Sequence, residues 1–324
     1  MKTILVTGGA GYIGSHTTKQ LIEKGYQVVI VDNLSNSKKQ YVHPESTFYK
    51  GDVLDYKLIK SIFTNHQIDA VMHFAGKISV NESTKHPLRY FSNNVEGTRM
   101  ILHRMRRLGI KYFVFSSTAA VYGEPEVVPV NEETKTAPIN PYGMSKLFAE
   151  QVIRESEKAY GIKHTIFRYF NVAGADTESG LRYDPIVPAT HLIPCVNEAA
   201  LGIRDKLEIF GNDYSTKDGT AIRDYVHVVD LARAHVLGLE KMFEDDKSKT
   251  ICLSSGNGYS VQEVYDTAKD VLNTEIPVQY SERREGDPES LIATNERAKK
   301  ELNWEPQKSL EDMIVTDYNS KQEG

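Results

Sequence analysis

The stretch Thr7-Gly8-Gly9-Ala10-Gly11-Tyr12-Ile13-Gly14 lies between an apolar run, Ile4–Val6, and a segment of helical periodicity, Ile13–Ile22. A chain that turns from strand into helix within so few residues must do so without side chains in the way. Gly8 permits the sharp turn, Gly11 lets backbone amides approach a ligand, and Gly14 lets helix and strand pack closely. The start of the helix adds partial positive charge at the same place, which suits a pyrophosphate. Glycines at this spacing could also form a plain turn. The strand–turn–helix context favours a dinucleotide site.

Further along, short buried runs alternate with helical stretches. Val28–Val31, Ala70–Phe74, Tyr112–Phe115 and Lys163–Arg168 read as strands. Pro87–Leu108 reads as one helix, and Pro141 opens another, since proline fits a first helical turn. This alternation predicts an α/β fold with a doubly wound parallel sheet of Rossmann type. After Asn171 the chain becomes rich in Gly, Pro and Asp. A second, smaller mixed α/β domain is expected there. The division expected is residues 1–171 for dinucleotide binding, joined by part of 222–252, and residues 172–324 for substrate. Ser260-Val261-Gln262-Glu263 is a capping box before a helix. Pro277–Tyr280 suggests a strand, Ser309–Asp312 the start of a last helix, and the polar tail Asn319–Gly324 a frayed end.

Asp32 closes the second strand eighteen residues after Gly14. A carboxylate there can accept hydrogen bonds from both ribose hydroxyls of NAD and would repel the 2′-phosphate of NADP, so NAD is favoured. The local alternative is an aspartate capping the turn before Asn33 and Asn36.

Tyr142 and Lys146 are four apart in the expected helix and so share a face. An ammonium beside a phenol favours the phenolate, which can take a proton from a sugar hydroxyl as hydride leaves the carbon. The spacing recurs at Tyr56/Lys60 and Tyr265/Lys269, and at least two of the three pairs should lie on helix surfaces. The middle pair differs because it follows the strand ending in Ser116-Ser117-Thr118. That strand's carboxyl end should face the ligand crevice, where Thr118 can bond the same substrate oxygen as Tyr142. Thr118 could equally bond local backbone.

Composition narrows the function classes. The formal net charge is −5 and the pI about 6.1, which lacks the basic excess of a nucleic-acid binder. No apolar run approaches the ~20 residues of a membrane helix, and the opening run is too short for a signal peptide. Cys195 and Cys252 are far apart and match no metal spacing, so a disulfide framework is excluded, no metal site is expected, and a cytoplasmic location is.

Together these motifs resemble the extended short-chain dehydrogenase/reductase superfamily and, over nearly the whole chain, its UDP-glucose 4-epimerase family. The most specific stretches are Phe210–His227 and Arg283–Asp287. The resemblance implies NAD as a tightly held cofactor, a UDP-sugar as substrate, and a homodimer through helices near 87–108 and 141–160. It implies that Tyr142 removes the 4-hydroxyl proton while hydride passes from C4 to NAD, and that the 4-keto sugar turns before hydride returns to its other face. It places Gly8, Gly11, Tyr12, Ile13, Gly14, Asp32, Asn33, Asn36, Ser37, Ser116, Tyr142 and Lys146 at the cofactor. It adds Asp52 and Val53 at the adenine, Phe74, Ala75, Lys77 and Asn93 along the cofactor, and Phe170 near the nicotinamide. The substrate set is Thr118, Tyr142, Asn171, His191, Leu192, Phe210, Arg223, Arg284, Asp287 and Leu291. Paired arginines suit a diphosphate because their forked donors bind it bidentately.

The chain departs from the family pattern in four places. Thr118 replaces a serine, and Lys77 comes one residue earlier than usual, with Ile78 in the usual place. His191 stands where some relatives have asparagine. Leu291 stands where others carry tyrosine or a smaller residue, which predicts tolerance of N-acetylated sugars. A related dehydratase would carry Asp or Glu directly after the threonine. Ala119 and Ala120 stand there instead and move no proton, which favours epimerisation. A non-catalytic NAD sensor on the same fold would lose the Tyr/Lys pair or the arginines, and both are present.

Overall fold

In a computed structural model the chain is described over residues 1–322, except Val187 and Glu285–Asp287. The strands are β1 (Thr3–Thr7), β2 (Gln27–Asp32), β3 (Thr47–Lys50), β4 (Ala70–His73), β5 (Tyr112–Ser116), β6 (Lys163–Tyr169) and β7 (Asn171–Ala173). They continue with β8 (Leu207–Phe210), β9 (Ile222–His227), β10 (Lys249–Leu253), β11 (Gly258–Ser260), β12 (Val278–Ser281) and β13 (Ser290–Leu291). The helices are α1 (Tyr12–Glu23), α2 (Tyr56–Asn65), α3 (Val80–Lys85), α4 (Pro87–Tyr90), α5 (Gly97–Leu108) and α6 (Pro141–Tyr160). After them come α7 (Leu192–Ala200), α8 (Val228–Asp245), α9 (Val261–Leu272), α10 (Glu296–Leu302) and α11 (Leu310–Gln322). The chain forms two compact units: Met1–Gly123, Lys135–Arg168 and Ala232–Ile251 in the first, and Glu124–Thr134, Tyr169–Leu231 and Cys252–Gly324 in the second.

The first unit is built on a sheet of order β10-β6-β5-β4-β1-β2-β3. From β3 to β6 every pairing is parallel. Strands covered on both faces must be apolar throughout, and β1 is accordingly buried at all five positions. Leu5, Val29, Val71, Phe113 and Phe115 from the sheet pack with Ile59, Ile62, Ile101 and Ile153 from the helices. Chain order reverses at β1, whose neighbours are β2 and β4. The carboxyl ends of β1 and β4 therefore flank the point where an open sheet of this kind leaves a crevice.

The segment expected as one helix from Pro87 to Leu108 is interrupted. Phe91–Glu96 forms a π-helical turn between α4 and α5. The wider turn carries the buried Asn94, whose side chain binds backbone and side chain outside its own helix. β3, an edge strand that is only half-buried, has no counterpart in the sequence reading.

In the second unit β11-β9-β13 form a sheet with β7 added on β9, and β12 pairs with β8. Ile193, Val196, Ile209, Tyr225, Val264, Met313 and Ile314 make its core. α9 opens on the expected capping box of Ser260 and Glu263. Two expectations fail here. Tyr265 is not on a helix surface: it is buried, and its hydroxyl donates to the Ile276 carbonyl at 2.9 Å. The tail is not frayed as far as Gln322, because α11 runs to that residue and buries Ser320.

Candidate functional site

In the first unit the glycine loop is fixed by packing at its ends and left open in its middle. Gly8 has φ +73°, and a Cβ there would meet the Ala75 nitrogen at 2.6 Å. A Cβ on Gly14 would fall on the Gly8 carbonyl. Gly11 differs: a Cβ there meets the Gly8 oxygen at 3.2 Å and nothing closer. Gly11 is also the first flanking residue of α1, where no side chain caps the helix. The amides of that first turn are left without a side-chain cap, which fits a pyrophosphate at the helix start.

Asp32 ends β2 and is buried. Its Oδ2 accepts from the Ala10 amide at 3.1 Å, and its Oδ1 from the Leu34 amide at 2.8 Å and Ser37 Oγ at 3.0 Å. The carboxylate is thus tied both to the glycine loop and to its own turn, and part of its acceptor capacity is spent before any ribose arrives. Ser37 spends its hydroxyl proton on Asp32. Asn33 reaches Asp52, with Nδ2 donating to Oδ2 at 2.8 Å, and Asn36 is exposed. Val53 is buried in the core, where it packs against Gly97. Phe74 lies against the His235 ring at 4.9 Å, and the Ala75 amide donates to the Thr7 carbonyl at 3.1 Å.

The Lys77 backbone is held at both polar atoms. Its N–H donates to Asn94 Oδ1 at 2.8 Å, and its carbonyl accepts from Asn94 Nδ2 at 3.1 Å. Asn94 Nδ2 also reaches Ser145 Oγ on α6 at 2.9 Å. Asn93, on the same π turn, is half-buried.

Tyr142 and Lys146 start α6. Pro141 stands in the first turn, and Asn140 caps it by accepting from the Gly143 amide at 2.9 Å. Gly143 lies so close to the turn Ala119–Val121 that a Cβ would meet the Ala120 carbonyl at 2.5 Å. This contact brings Thr118 and Tyr142 together. Thr118 Oγ1 accepts from the Ala120 amide at 3.1 Å, and the Thr118 side chain is the group that pulls the Tyr142 phenol down. Lys146 is buried; its Nζ donates to the Ser116 carbonyl at 2.8 Å and sits 4.9 Å from the Phe115 ring centre.

The electrostatics correct one expectation. Burial pushes the Tyr142 phenol up, and the group that pulls it down is Thr118. Lys146 was expected to do this, but its ammonium is directed to the Ser116 carbonyl. Burial lowers Lys146 itself to about 8, against the raising effect of Glu150. Beside it, His73 is pushed down to about 3 by burial first and then by the charge of Lys146. His73 Nδ1 lies 2.7 Å from Thr7 Oγ1.

In the second unit the residues expected at the substrate gather in pairs. The Arg284 guanidinium stacks on Phe210 at 3.7 Å. Leu291 on β13 is in register with Arg223 on β9, so Arg223 lies on a strand. Arg223 Nη1 donates to the Ile222 carbonyl at 2.8 Å. Asn171 Nδ2 donates to the Asp224 carbonyl at 3.0 Å. Phe170 and Leu192 are half-buried. His191 precedes α7 with Nδ1 3.5 Å from the Tyr183 hydroxyl, and burial lowers it. Asp287 lies outside the described residues.

Asn94, Glu150 and Asp224 were not singled out from the sequence. Asp224 is buried and raised to about 6 by burial, and it accepts from the Ser255 amide and hydroxyl at 2.9 and 2.8 Å. Its position beside Arg223 was the available signal. Among the described residues no group of three or more His, Cys, Asp or Glu could hold a metal, and no helix is long and apolar enough to cross a membrane.

The family model for GDP-mannose 4,6 dehydratase matches residues 5–316. The UDP-glucose 4-epimerase of Halalkalibacterium halodurans is 47% identical over 317 residues, covering 98% of this chain and 94% of the relative. The chain belongs to the UDP-glucose 4-epimerase family. The solved epimerase from Bifidobacterium longum, in complex with NAD+ and UDP, superposes with TM-score 0.93 at 39% identity, covering 100% of this chain and 99% of that one. The UDP-Glc/GlcNAc 4-epimerase of Campylobacter jejuni superposes with TM-score 0.88 at 40% identity and full coverage of both chains. The family model carries a dehydratase name and the relatives carry epimerase names. After Thr118 stand Ala119 and Ala120, with methyl side chains, and Glu124 is exposed.

Replacing Gly11 by alanine puts a methyl at the helix start, 3.2 Å from the Gly8 oxygen, a contact that a small shift relieves. The expected result is a protein of near-native thermal stability that loses NAD on gel filtration. Gly14→Ala should instead lower the melting temperature, because its methyl collides with backbone. Equal NAD retention by Gly11→Ala and the unaltered chain would contradict this reading of the loop.

Proposed function

We propose that the chain interconverts UDP-glucose and UDP-galactose by reversible oxidation at C4 of the sugar, with NAD retained throughout. The observation that carries this reading is the seating of α6 on the turn after β5, where Gly143 lies against the Ala120 carbonyl and the buried Lys146 donates to the Ser116 carbonyl, so that Tyr142 and Thr118 share one corner. The glycine loop, Asp32, Asn33, Asp52, Phe74, Ala75, Asn93 and Ser116 would hold NAD, with Tyr12, Ile13, Asn36, Ser37, Val53, Lys77 and Phe170 completing the set. Bound there, NAD supplies the reversible two-electron step.

The proton belongs to Tyr142. Thr118 has one hydroxyl proton, and its oxygen already accepts from the Ala120 amide. Donation from Thr118 to the phenol oxygen favours the phenolate, in agreement with the downward pull it exerts. Protonated Lys146, fixed to the Ser116 carbonyl, adds positive charge to the same corner of the unit. Burial raises the phenol, so Thr118, Lys146 and the positive charge of bound NAD would together offset it, and the phenolate would then remove the 4-hydroxyl proton and return it in the reverse direction. In the second unit, Arg284 stacked on Phe210, together with Arg223, Asn171, His191, Leu192, Leu291 and Asp287, would hold the nucleotide diphosphate and sugar. Anchoring the nucleotide leaves the 4-keto sugar free to turn about its link to the diphosphate. No acid or base follows Thr118 to remove a second proton, so the ketone returns to an alcohol.

The chain is further proposed to act as a cytoplasmic homodimer. Leu88, Leu108, Met144 and Phe148 are exposed large apolar side chains on the first unit, and the Phe91 and Phe148 rings lie 5.7 Å apart. Such side chains support a partner surface on α4–α6. Cys195 and Cys252, which form no disulfide with each other, support a reducing compartment.

Tyr142→Phe should lower turnover of UDP-galactose by roughly three orders of magnitude or more, the scale of a lost general base, while NAD stays bound. Full activity in that variant would remove Tyr142 from the reaction. A second reading, that N-acetylated sugars are also turned over, is supported by Leu291, which is smaller than tyrosine and aligned with Arg223. UDP-GalNAc should be converted to UDP-GlcNAc by the purified protein. No product after prolonged incubation would confine the enzyme to the unsubstituted pair.

A further inference from the structure

Behind the tyrosine and lysine, α6 carries a buried carboxylate that the reaction as described does not use. Glu150 is 0% exposed at its side chain. It stands one helical turn beyond Lys146, on the same face. Its Oε1 accepts from Ser117 Oγ at 2.5 Å and from Arg168 Nε at 3.0 Å. Its Oε2 accepts from Arg168 Nη2 at 2.6 Å and Arg154 Nη2 at 3.0 Å. Arg168 in turn donates from Nη1 to the Tyr122 hydroxyl at 3.1 Å. A buried ion pair is a poor source of stability, since desolvation offsets most of the attraction. Stability alone therefore does not account for placing it here.

Its attachment points suggest what it does. Ser117 lies between Ser116, whose carbonyl receives Lys146, and Thr118, whose side chain pulls the Tyr142 phenol down. The Ser117 amide donates to the Phe167 carbonyl at 2.8 Å, and its hydroxyl is held by Glu150. A displacement of Ser117 would move both contacts of the reacting pair together. Resting on the reading of Tyr142 and Lys146 given above, we propose that Glu150 is a positioning residue for the proton transfer. It fixes the Ser116–Thr118 strand end through Ser117, and its charge keeps the proton on Lys146.

Other groups face Lys146 from every element around it. β5 presents the Ser116 carbonyl and the Phe115 ring. β4 presents His73, which burial keeps neutral. The loop at Gly76 lies against the ammonium, with a Cβ position there 3.2 Å from Nζ. From its own helix come Tyr142 and Glu150. Arg168 and Arg154 lie behind Glu150 and draw on its charge. Among these groups Glu150 supplies the negative charge, and it is the influence that raises Lys146 against burial.

The test is made on the NAD-loaded enzyme by titrating the Lys146 13Cε resonance, assigned by its loss in Lys146→Arg. The midpoint should fall near 8 in the unaltered chain. In Glu150→Gln it should drop by roughly one unit, the size of effect that removal of a close opposite charge produces. Protonation, and with it kcat at pH 8, then falls about fivefold with KM little changed. Arg154→Gln leaves Glu150 less neutralised, so the midpoint should rise. If Glu150→Gln does not fold, Arg154→Gln decides: a rise supports the proposal and an unmoved or lowered midpoint overturns it. Where Glu150→Gln folds, an unmoved or raised midpoint overturns the proposal. Turnover by Tyr142→Phe would sink the reading of the site while leaving the midpoint result standing. An inactive Tyr142→Phe with an unmoved midpoint in Glu150→Gln would sink this inference alone.

Discussion

The bond from Lys146 Nζ to the Ser116 carbonyl joins the first helical turns of α6 to the carboxyl end of β5. It places a cation where its side chain is buried, and an uncompensated buried charge is costly. The surrounding structure follows from meeting that demand. Gly143 removes the side chain that would separate the helix from the Ala119–Val121 turn, so the two close on each other. Glu150 brings a compensating charge one turn further on, and Arg168 from β6 keeps that charge from being unpaired in its turn. These contacts set the start of α6, with Tyr142, against the turn that follows Thr118.

Features that depend on neighbours in sequence were legible beforehand. The glycine loop, the carboxylate ending β2, the tyrosine–lysine spacing and the proline-opened α6 each lie within a few residues of the signal that reveals them. Features that depend on distant partners were not. Glu150 looks like an ordinary helical glutamate until Arg168 and Ser117 close on it from β6 and β5. Asn94 required the π turn, which pattern alone does not distinguish from continuous helix. β3 is half-buried and lacks a clean apolar pattern. Tyr265 shares the spacing of a surface pair, yet a carbonyl beyond its own helix draws its hydroxyl inward. The shift at Tyr142 was misjudged in sign because spacing says which side chains share a face and not where an ammonium points. The pairing of Arg284 with Phe210 and of Leu291 with Arg223 gives physical form to residues that resemblance alone had grouped.

After Thr118 the chain carries Ala119 and Ala120, whose methyl side chains move no proton. Relatives that eliminate water must move a second proton, and the residues available here for that task are Ala119 and Ala120. With nothing to draw the ketone onward, the same groups that oxidise the alcohol must restore it. Inversion then follows from which face of the sugar is presented when the hydrogen returns. The specificity of the reaction is in this sense a property of two methyl groups as much as of a phenol.

The origin of the hydrogen at C4 tests this account most directly. UDP-galactose is converted to UDP-glucose in D₂O, and the product is examined by NMR and mass spectrometry. Hydride that leaves C4 and returns to it never mixes with solvent, so the product should carry protium at C4 and at C5. Deuterium at either carbon would contradict a closed oxidation and reduction at C4 and would require a base that removes a carbon-bound proton.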